Sequence, residues 1–354
     1  MVNLIWIARE IPAIVLVSYL GWRLLKKGGQ VALQTVMFFF FFGEFDLYRI
    51  VKLTDPVSAA RVVHHAGTFW IGDHDSSKIV VLDDRGNLRF RIDNGAGQGP
   101  GQFTNARDIM VFPEKDSLLV FGKHGDTHRF KASDGSFIKK MISFMPYQAV
   151  LRWEDNRFIV LWGADSTIPH SKHAFVIYFY DGALVEKWKV PQPDWQKRYL
   201  YDAPRGYAVG LKKDILIGYM GRPEIRIYPY QKSTPRIWNL HPPRDYDPPP
   251  KKTLSREHMF NKIKLREYIQ SFSSIDSLHR LEGRYLLVCW RNKHGRPPTA
   301  DLYDLVQQRR ITADLSLPGY IVGCEDKNIF VVEYRDEGPE LITLLHIYRL
   351  NLDH

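Results

Sequence analysis

Cysteine is scarce. Cys289 and Cys324 are the only two in 354 residues, and they form no CxxC pair and no disulfide framework. They leave the redox compartment open. Catalytic signatures are also missing: there is no GxSxG, no HExxH, no phosphate loop and no Cys–His nucleophile pattern. Acidic residues are outnumbered, 39 against 49 Lys and Arg, for a net charge of +10. That permits an anionic partner without naming its class. No small-residue cleavage site follows Phe42, so the apolar start of the chain reads as an anchor and not as a removed signal.

What remains is ordinary globular material, 45% hydrophobic and 25% charged. Aromatics reach 13%, alongside 25 glycines and 21 prolines. Aromatic-rich, turn-rich chains favour β structure. The first 42 residues stand apart. "IPAIVLVSYLGWRLL" (11–25) is apolar except for Arg23, and a helix over residues 3–25 would measure about 34 Å, enough to cross a bilayer. "VALQTVMFFFFF" (31–42) is intensely apolar but short for a span, which suits an interfacial or re-entrant segment. Residues 1–42 are therefore expected to anchor the protein to a membrane. Arg23, Lys26 and Lys27 lie between the two apolar stretches. If they stay cytoplasmic and the second stretch inserts, the rest of the chain is exported; if only the first stretch spans, the rest stays in the cytoplasm.

From there a unit recurs: an apolar strand ending near Gly, a polar turn, then an alternating strand. It appears as "FWIGDHDSSKIVVLD", "LLVFGKHGDTHRFKA", "IVLWGADS…FVIYFYD" and "ILIGYMGRPEIRIYPY", with weaker copies around Val288 and Val332. Equivalent positions are Ile71, Phe121, Trp162, Ile217, Val288 and Val332. Each copy has a strand before it, and five have a strand after it. Six four-stranded antiparallel units predict an all-β, six-bladed β-propeller over residues 47–354. The sixth unit runs out of chain without its outer strand. "LYRIVKL" (47–53) has no partner near it in sequence, so it is expected to pair beside 343–350 and close the ring.

"GAGQGPGQFTN" (95–105) falls between the outer strand of unit one and the inner strand of unit two. Its glycines suit a tight path from rim to hub, and Phe103 is expected to plug between neighbouring blades. The dinucleotide frame GxGxxG fails here, because Pro100 or Gln102 stands at its last glycine and no helix pattern follows. The stretch "GAGQGPGQFTNARDIMV", followed by strand, turn, strand and Asp-Gly, resembles the NHL-type repeats of bacterial six-bladed propellers over residues 60–140. The resemblance implies a propeller that is often exported and usually a binding scaffold. It also implies a rival reading, since some six-bladed relatives are metal-dependent lactonases or lyases.

A lactonase-type site needs Glu, Asn and Asp converging on a divalent cation at the pore. The inner-strand starts offer instead Arg61, Arg107, Asp108, Arg205 and Asp276 as pore lining, a set better suited to an anion. His74, His124 and His294 occupy equivalent turns of different blades and cannot converge on one zinc. His170, His173 and Asp165 read as solvated loop residues. No cofactor and no catalytic residue is assigned.

Positive charge concentrates in an insertion over residues 240–271. "HPPRDYDPPPKK" is a proline-rich approach, and "TLSREHMFNKIKLREYIQSF" reads as a helix capped by Ser255. Lys251, Lys252, Arg256, Lys262, Lys264 and Arg266 lie in this segment. The turn "RNKHGRPP" of unit five adds Arg291, Lys293 and Arg296. Both connectors belong to the top face of a propeller, so they are expected to form one basic surface for an acidic protein partner. No recognition helix and no stacked RNA-binding aromatics appear, so nucleic acid is not the expected partner. The sequence thus predicts a membrane-anchored, non-catalytic propeller acting as an interaction or structural subunit of a membrane complex, with a metal-dependent hydrolase as the alternative.

Overall fold

The computed structural model describes residues 45–53, 57–97, 99–122, 126–141, 147–154, 156–162, 174–189, 204–232, 234–250, 261–293, 296, 298–337 and 340–351. The expected anchor, residues 1–42, lies outside them. No helix among the described residues is long and apolar enough to cross a membrane.

The described strands, numbered β1 to β24 in chain order, form six four-stranded antiparallel sheets. The inner strands are β2 (Ala59–His65), β6 (Ala106–Phe112), β10 (Tyr147–Glu154), β14 (Pro204–Val209), β18 (Ser274–Leu281) and β22 (Tyr320–Glu325). They begin blades 1 to 6 in that order. The six repeat positions read from the sequence, Ile71 to Val332, all fall on the second strand of their blades.

Blade 6 runs in the order β22, β23 (Asn328–Glu337), β24 (Glu340–Leu350), β1 (Phe45–Lys52). The closing strand is the N-terminal one, as its unpaired sequence predicted. It starts two residues earlier than expected: Phe45 pairs with Leu350 and Lys52 with Leu344. The reason is burial. Phe45 is only 2% exposed and packs with Leu281, Leu287 and Ile329 between blades 5 and 6. Leu53 continues the ladder by donating its N–H to the Thr343 carbonyl at 3.0 Å.

The core is divided among the blade boundaries. Each of the six boundaries holds its own apolar cluster. This follows from the alternation of a strand: each sheet has two faces, and closure covers both. The glycine connector serves the boundary between blades 1 and 2. Gly95 and Gly101 adopt positive φ (78° and 75°), where a side chain would be strained. Phe103 is fully buried beside Trp70 and Ile79 of blade 1 and Phe130 of blade 2, with its ring edge-on to Phe130 at 6.1 Å. The connector is structural punctuation ending in a hydrophobic plug.

The insertion between β17 (Arg236–Asn239) and β18 is described in part. Ser255 and residues 251–260 lie outside the described residues. The helix that is described, α1, runs Lys262–Gln270. Its cap is Asn261, whose side-chain oxygen accepts from the backbone N–H groups of Ile263 and Lys264, both at 3.1 Å. Asparagine is among the strongest N-caps, and here it satisfies two donors that a helix start leaves free.

Candidate functional site

Two features could meet a partner or ligand: the channel at the hub and the basic insertion on the top face. The channel is built by the inner strands. Several of the inner-strand side chains that border it are charged. One cavity there, about 220 Å³, is lined by Arg61, Arg152, Arg280, His279, Tyr207 and Cys324 among others. A second, about 290 Å³, shares Arg61, Arg152 and Cys324 and adds His64, Asp108, Glu325 and Asp326.

The charged groups also bridge neighbouring blades. Arg61 Nε of blade 1 lies 3.7 Å from Asp108 Oδ1 of blade 2. Arg152 of blade 3 donates to the Val111 carbonyl of blade 2 at 3.2 Å and sits 3.6 Å from Glu114 Oε2. Lys213 of blade 4 pairs with Glu154 of blade 3. Arg280 of blade 5 donates to the Gly210 carbonyl, following blade 4's inner strand, at 3.1 Å. Glu282 N–H of blade 5 donates to the Asp326 carbonyl of blade 6 at 2.8 Å, and Lys327 Nζ lies 3.1 Å from Glu282 Oε1. His64 Nδ1 of blade 1 faces Glu325 Oε2 of blade 6 at 3.3 Å. Every blade boundary therefore carries a polar bridge. Partly exposed pairs stabilise by about 0–1 kcal/mol each. Their main effect is to fix the rotation of each blade, while the apolar clusters supply the cohesion.

Burial governs protonation at the hub. Loss of water around Asp108 raises its carboxyl above the usual range, although Arg61 and Arg107 pull the other way. Burial, helped by Arg61, pushes the His279 imidazole down to about 3, so it is neutral at physiological pH. Its Nε2 lies 2.9 Å from Ser277 Oγ. Burial lifts the Cys289 thiol to about 12 and the Cys324 thiol well above its ordinary value. Both thiols are held protonated, which opposes a nucleophilic role. Among the described residues, no three His, Cys, Asp or Glu come together as a metal site would require.

Of the pore residues expected from the sequence, Arg61 and Asp108 line the channel. Arg107 is exposed beside Asp108, and Asp276 is exposed on β18 without lining either cavity. The Arg205 side chain is outside the described residues. The sequence reasoning missed Arg152, His279, Arg280, His64 and Glu325. It looked at strand starts, whereas these sit near strand ends. The signal was present: charged or imidazole side chains recur near the ends of β2, β10, β18 and β22.

On the top face, α1 rests on the disc through Tyr268, Ile269 and Phe272, which pack with Met220. The two connectors predicted to lie side by side do so. Arg291 Nη2 donates to the Ile269 carbonyl at 3.1 Å. Arg296 Nη1 donates to the Asp245 carbonyl at 2.9 Å, and Arg296 lies 3.3 Å from Asp247 Oδ2. These two arginines hold the insertion down. Lys264, Arg266 and Lys293 are exposed, and so is Ile263, at 70%. Lys251, Lys252 and Arg256 lie outside the described residues, as do the side chain of Lys262 and residues His124, His170, His173 and His294. His74 is exposed at the turn after β3 (Thr68–Asp73).

No family model matches the chain, and no curated protein matches it. Solved structures do. The chain is similar to a candidate exported protein of Bacteroides fragilis (TM-score 0.59, 14% identity, covering 87% of this chain and 95% of that one). It is also similar to a DUF4221-family member from Bacteroides vulgatus (TM-score 0.60, 11% identity, 87% and 99%). The WD40 repeats of RRP9 align with a TM-score of 0.51 at 8% identity, over 84% and 97% of the two chains. At these identities the likeness shows the fold alone, a β-propeller, and the six sheets give it six blades.

Proposed function

We propose that this propeller is a non-catalytic interaction or structural subunit of a larger membrane protein complex, docking an acidic protein surface on its top face. The observation that carries this reading is the pinned insertion. Arg291 and Arg296 hold it from beneath, so Lys264, Arg266, Lys293 and the exposed Ile263 stand on a braced platform and not on a free loop. An exposed apolar side chain on an element that also carries exposed basic ones is the composition of a docking patch, with the charge steering association and the apolar part resisting dissociation. Residues 1–42 supply the membrane anchor in this reading. The propeller faces the exported side, in keeping with the similarity to a candidate exported protein. Kinship with NHL-type propellers is part of the same proposal and rests on the connector at 95–105.

The hydrolase alternative would need the hub carboxylates for a cation. Asp108 already lies against Arg61, and Glu325 against His64 and His65. Purifying the full chain from native membranes and identifying what accompanies it tests the proposal. A stoichiometric membrane-protein partner is the expected result. A chain that purifies alone under mild detergent and low salt contradicts it.

A further inference from the structure

Charge in the hub channel is segregated. The cavity of about 290 Å³ mixes Arg61 and Arg152 with Asp108, Glu325 and Asp326. The cavity of about 220 Å³, on the other side of Arg61, is lined by Arg61, Arg152 and Arg280 and by no carboxylate. These three arginines, from blades 1, 3 and 5, border one space. Arg152 has a carboxylate, Glu114 Oε2 at 3.6 Å, while Arg61 and Arg280 are less fully compensated. Arg280 has no carboxylate within ion-pair distance among the described residues; it donates to the carbonyls of Val209, Gly210 and Gly283, which carry no net charge. Arg61 Nε is buried without a hydrogen-bond acceptor, and Asp108 approaches it only to 3.7 Å. Partial loss of water lowers the Arg280 guanidinium from its ordinary range, although Arg280, like Arg152, keeps an exposed surface from which a ligand can be reached.

We propose that this cavity binds a small, multiply charged oxyanion. Guanidinium groups recognise phosphate and carboxylate oxygens through paired N–H donors. His279, neutral and buried on the wall, adds hydrogen-bonding capacity without charge. Size narrows the ligand class. The space suits a pyrophosphate- or citrate-sized anion. It is below the roughly 300 Å³ at which pockets for drug-sized molecules begin. A bound anion would tie blades 1, 3 and 5 through one centre and relieve the repulsion among their arginines. The inference stands apart from the docking proposal, because the cavity lies on the axis and uses none of the top-face residues.

Isothermal titration of the detergent-solubilised full chain tests it, with pyrophosphate and citrate as probes at matched ionic strength. One of the two should bind saturably at one site, with a dissociation constant below about 1 mM. A response to pyrophosphate alone identifies a phosphoryl ligand, and one to citrate alone a carboxylate ligand. Arg61→Gln should weaken binding at least about tenfold, and Lys232→Gln at an exposed turn of blade 4 should leave it unchanged. Because Arg61→Gln also removes the contact with Asp108, wild-type crystals soaked in tungstate give a second reading: the heavy anion should appear among Arg61, Arg152 and Arg280. Absence of saturable binding up to about 10 mM for either probe would overturn the proposal. So would equal weakening by Lys232→Gln, or tungstate bound only outside the channel.

Discussion

Removing the closing strand should separate two truncations that differ by nine residues. A chain beginning at Phe45 keeps β1 whole. A chain beginning at residue 54 loses it, and with it the buried side chains of Phe45, Val51 and Leu53, each at most 5% exposed. Burying such a side chain stabilises by about 1.5–3 kcal/mol, so the loss is roughly 5–9 kcal/mol. Whole domains are stable by about 5–15 kcal/mol, so the shorter chain is left near or below the folding threshold. It also exposes the edge of β24, whose free N–H and C=O groups invite pairing with another chain. Thermal unfolding by circular dichroism, together with size-exclusion chromatography, reads both effects. The chain from Phe45 should be monodisperse and melt cooperatively. The chain from residue 54 should aggregate, or melt at least about 10 °C lower, at a few degrees per kcal/mol. Melting points within about 2 °C of each other, with both chains monodisperse, would refute closure by β1.

Phe103→Ala should cost about 3–5 kcal/mol, because the plug is fully buried and its site is rimmed by rigid aromatic rings; chemical denaturation measures it, and a loss under about 1 kcal/mol would show the boundary able to collapse. His279 stays neutral in the fold but takes a proton near pH 6.5 when unfolded, so stability should fall as pH drops below that value, by up to about 1.4 kcal/mol per unit from this group. His128 and His346, also depressed by burial, act in the same sense, while the raised Asp108 and Asp301 oppose it at lower pH. Denaturation midpoints of wild type and His279→Gln between pH 7.5 and 5 should diverge, the variant having the shallower slope, and parallel slopes would contradict the assignment. The full chain should sediment with membranes and the chain from Phe45 should stay soluble; a full chain soluble without detergent would remove the anchor from the account.

The architecture was legible because propellers repeat. Ile71, Phe121, Trp162, Ile217, Val288 and Val332 mark the second strand of every blade, where burial on both faces leaves an apolar run that survives sequence drift. The closing strand was legible from what unit six lacked, although its start at Phe45 was not, since a single aromatic after Gly43-Glu44 looks like linker until its partner Leu350 is placed beside it. Phe103 was readable as a plug because the glycines before it have no other use. The hub was harder. Arg152 and Arg280 sit in inner strands whose neighbours are apolar, and only the closed ring brings residues 61, 152 and 280 to one cavity. The top face was readable in outline but not in its division of labour. Arg291 and Arg296 count as surface charge in the sequence, and the fold spends them on the Ile269 and Asp245 carbonyls. Asn261 was not read as a cap because the apolar spacing put the helix start at Ser255, which lies outside the described residues.

The account turns on whether the braced basic platform docks a partner. Lys264, Arg266 and Lys293 can be reversed to Glu together without touching the blades or the two arginines that pin the insertion. Single changes at exposed ion pairs shift binding by only about 0–1 kcal/mol, so the combined reversal is required. The measurement is retention of the partner on membranes across a salt series, for wild type and the triple reversal, with the melting temperature confirming that both are folded. Steering depends on the summed field of the patch, so wild type should lose its partner progressively with salt, and the reversal should associate poorly and with little salt dependence. Identical retention profiles for the two proteins would show that the top face is solvated decoration and that any docking surface lies elsewhere on the propeller.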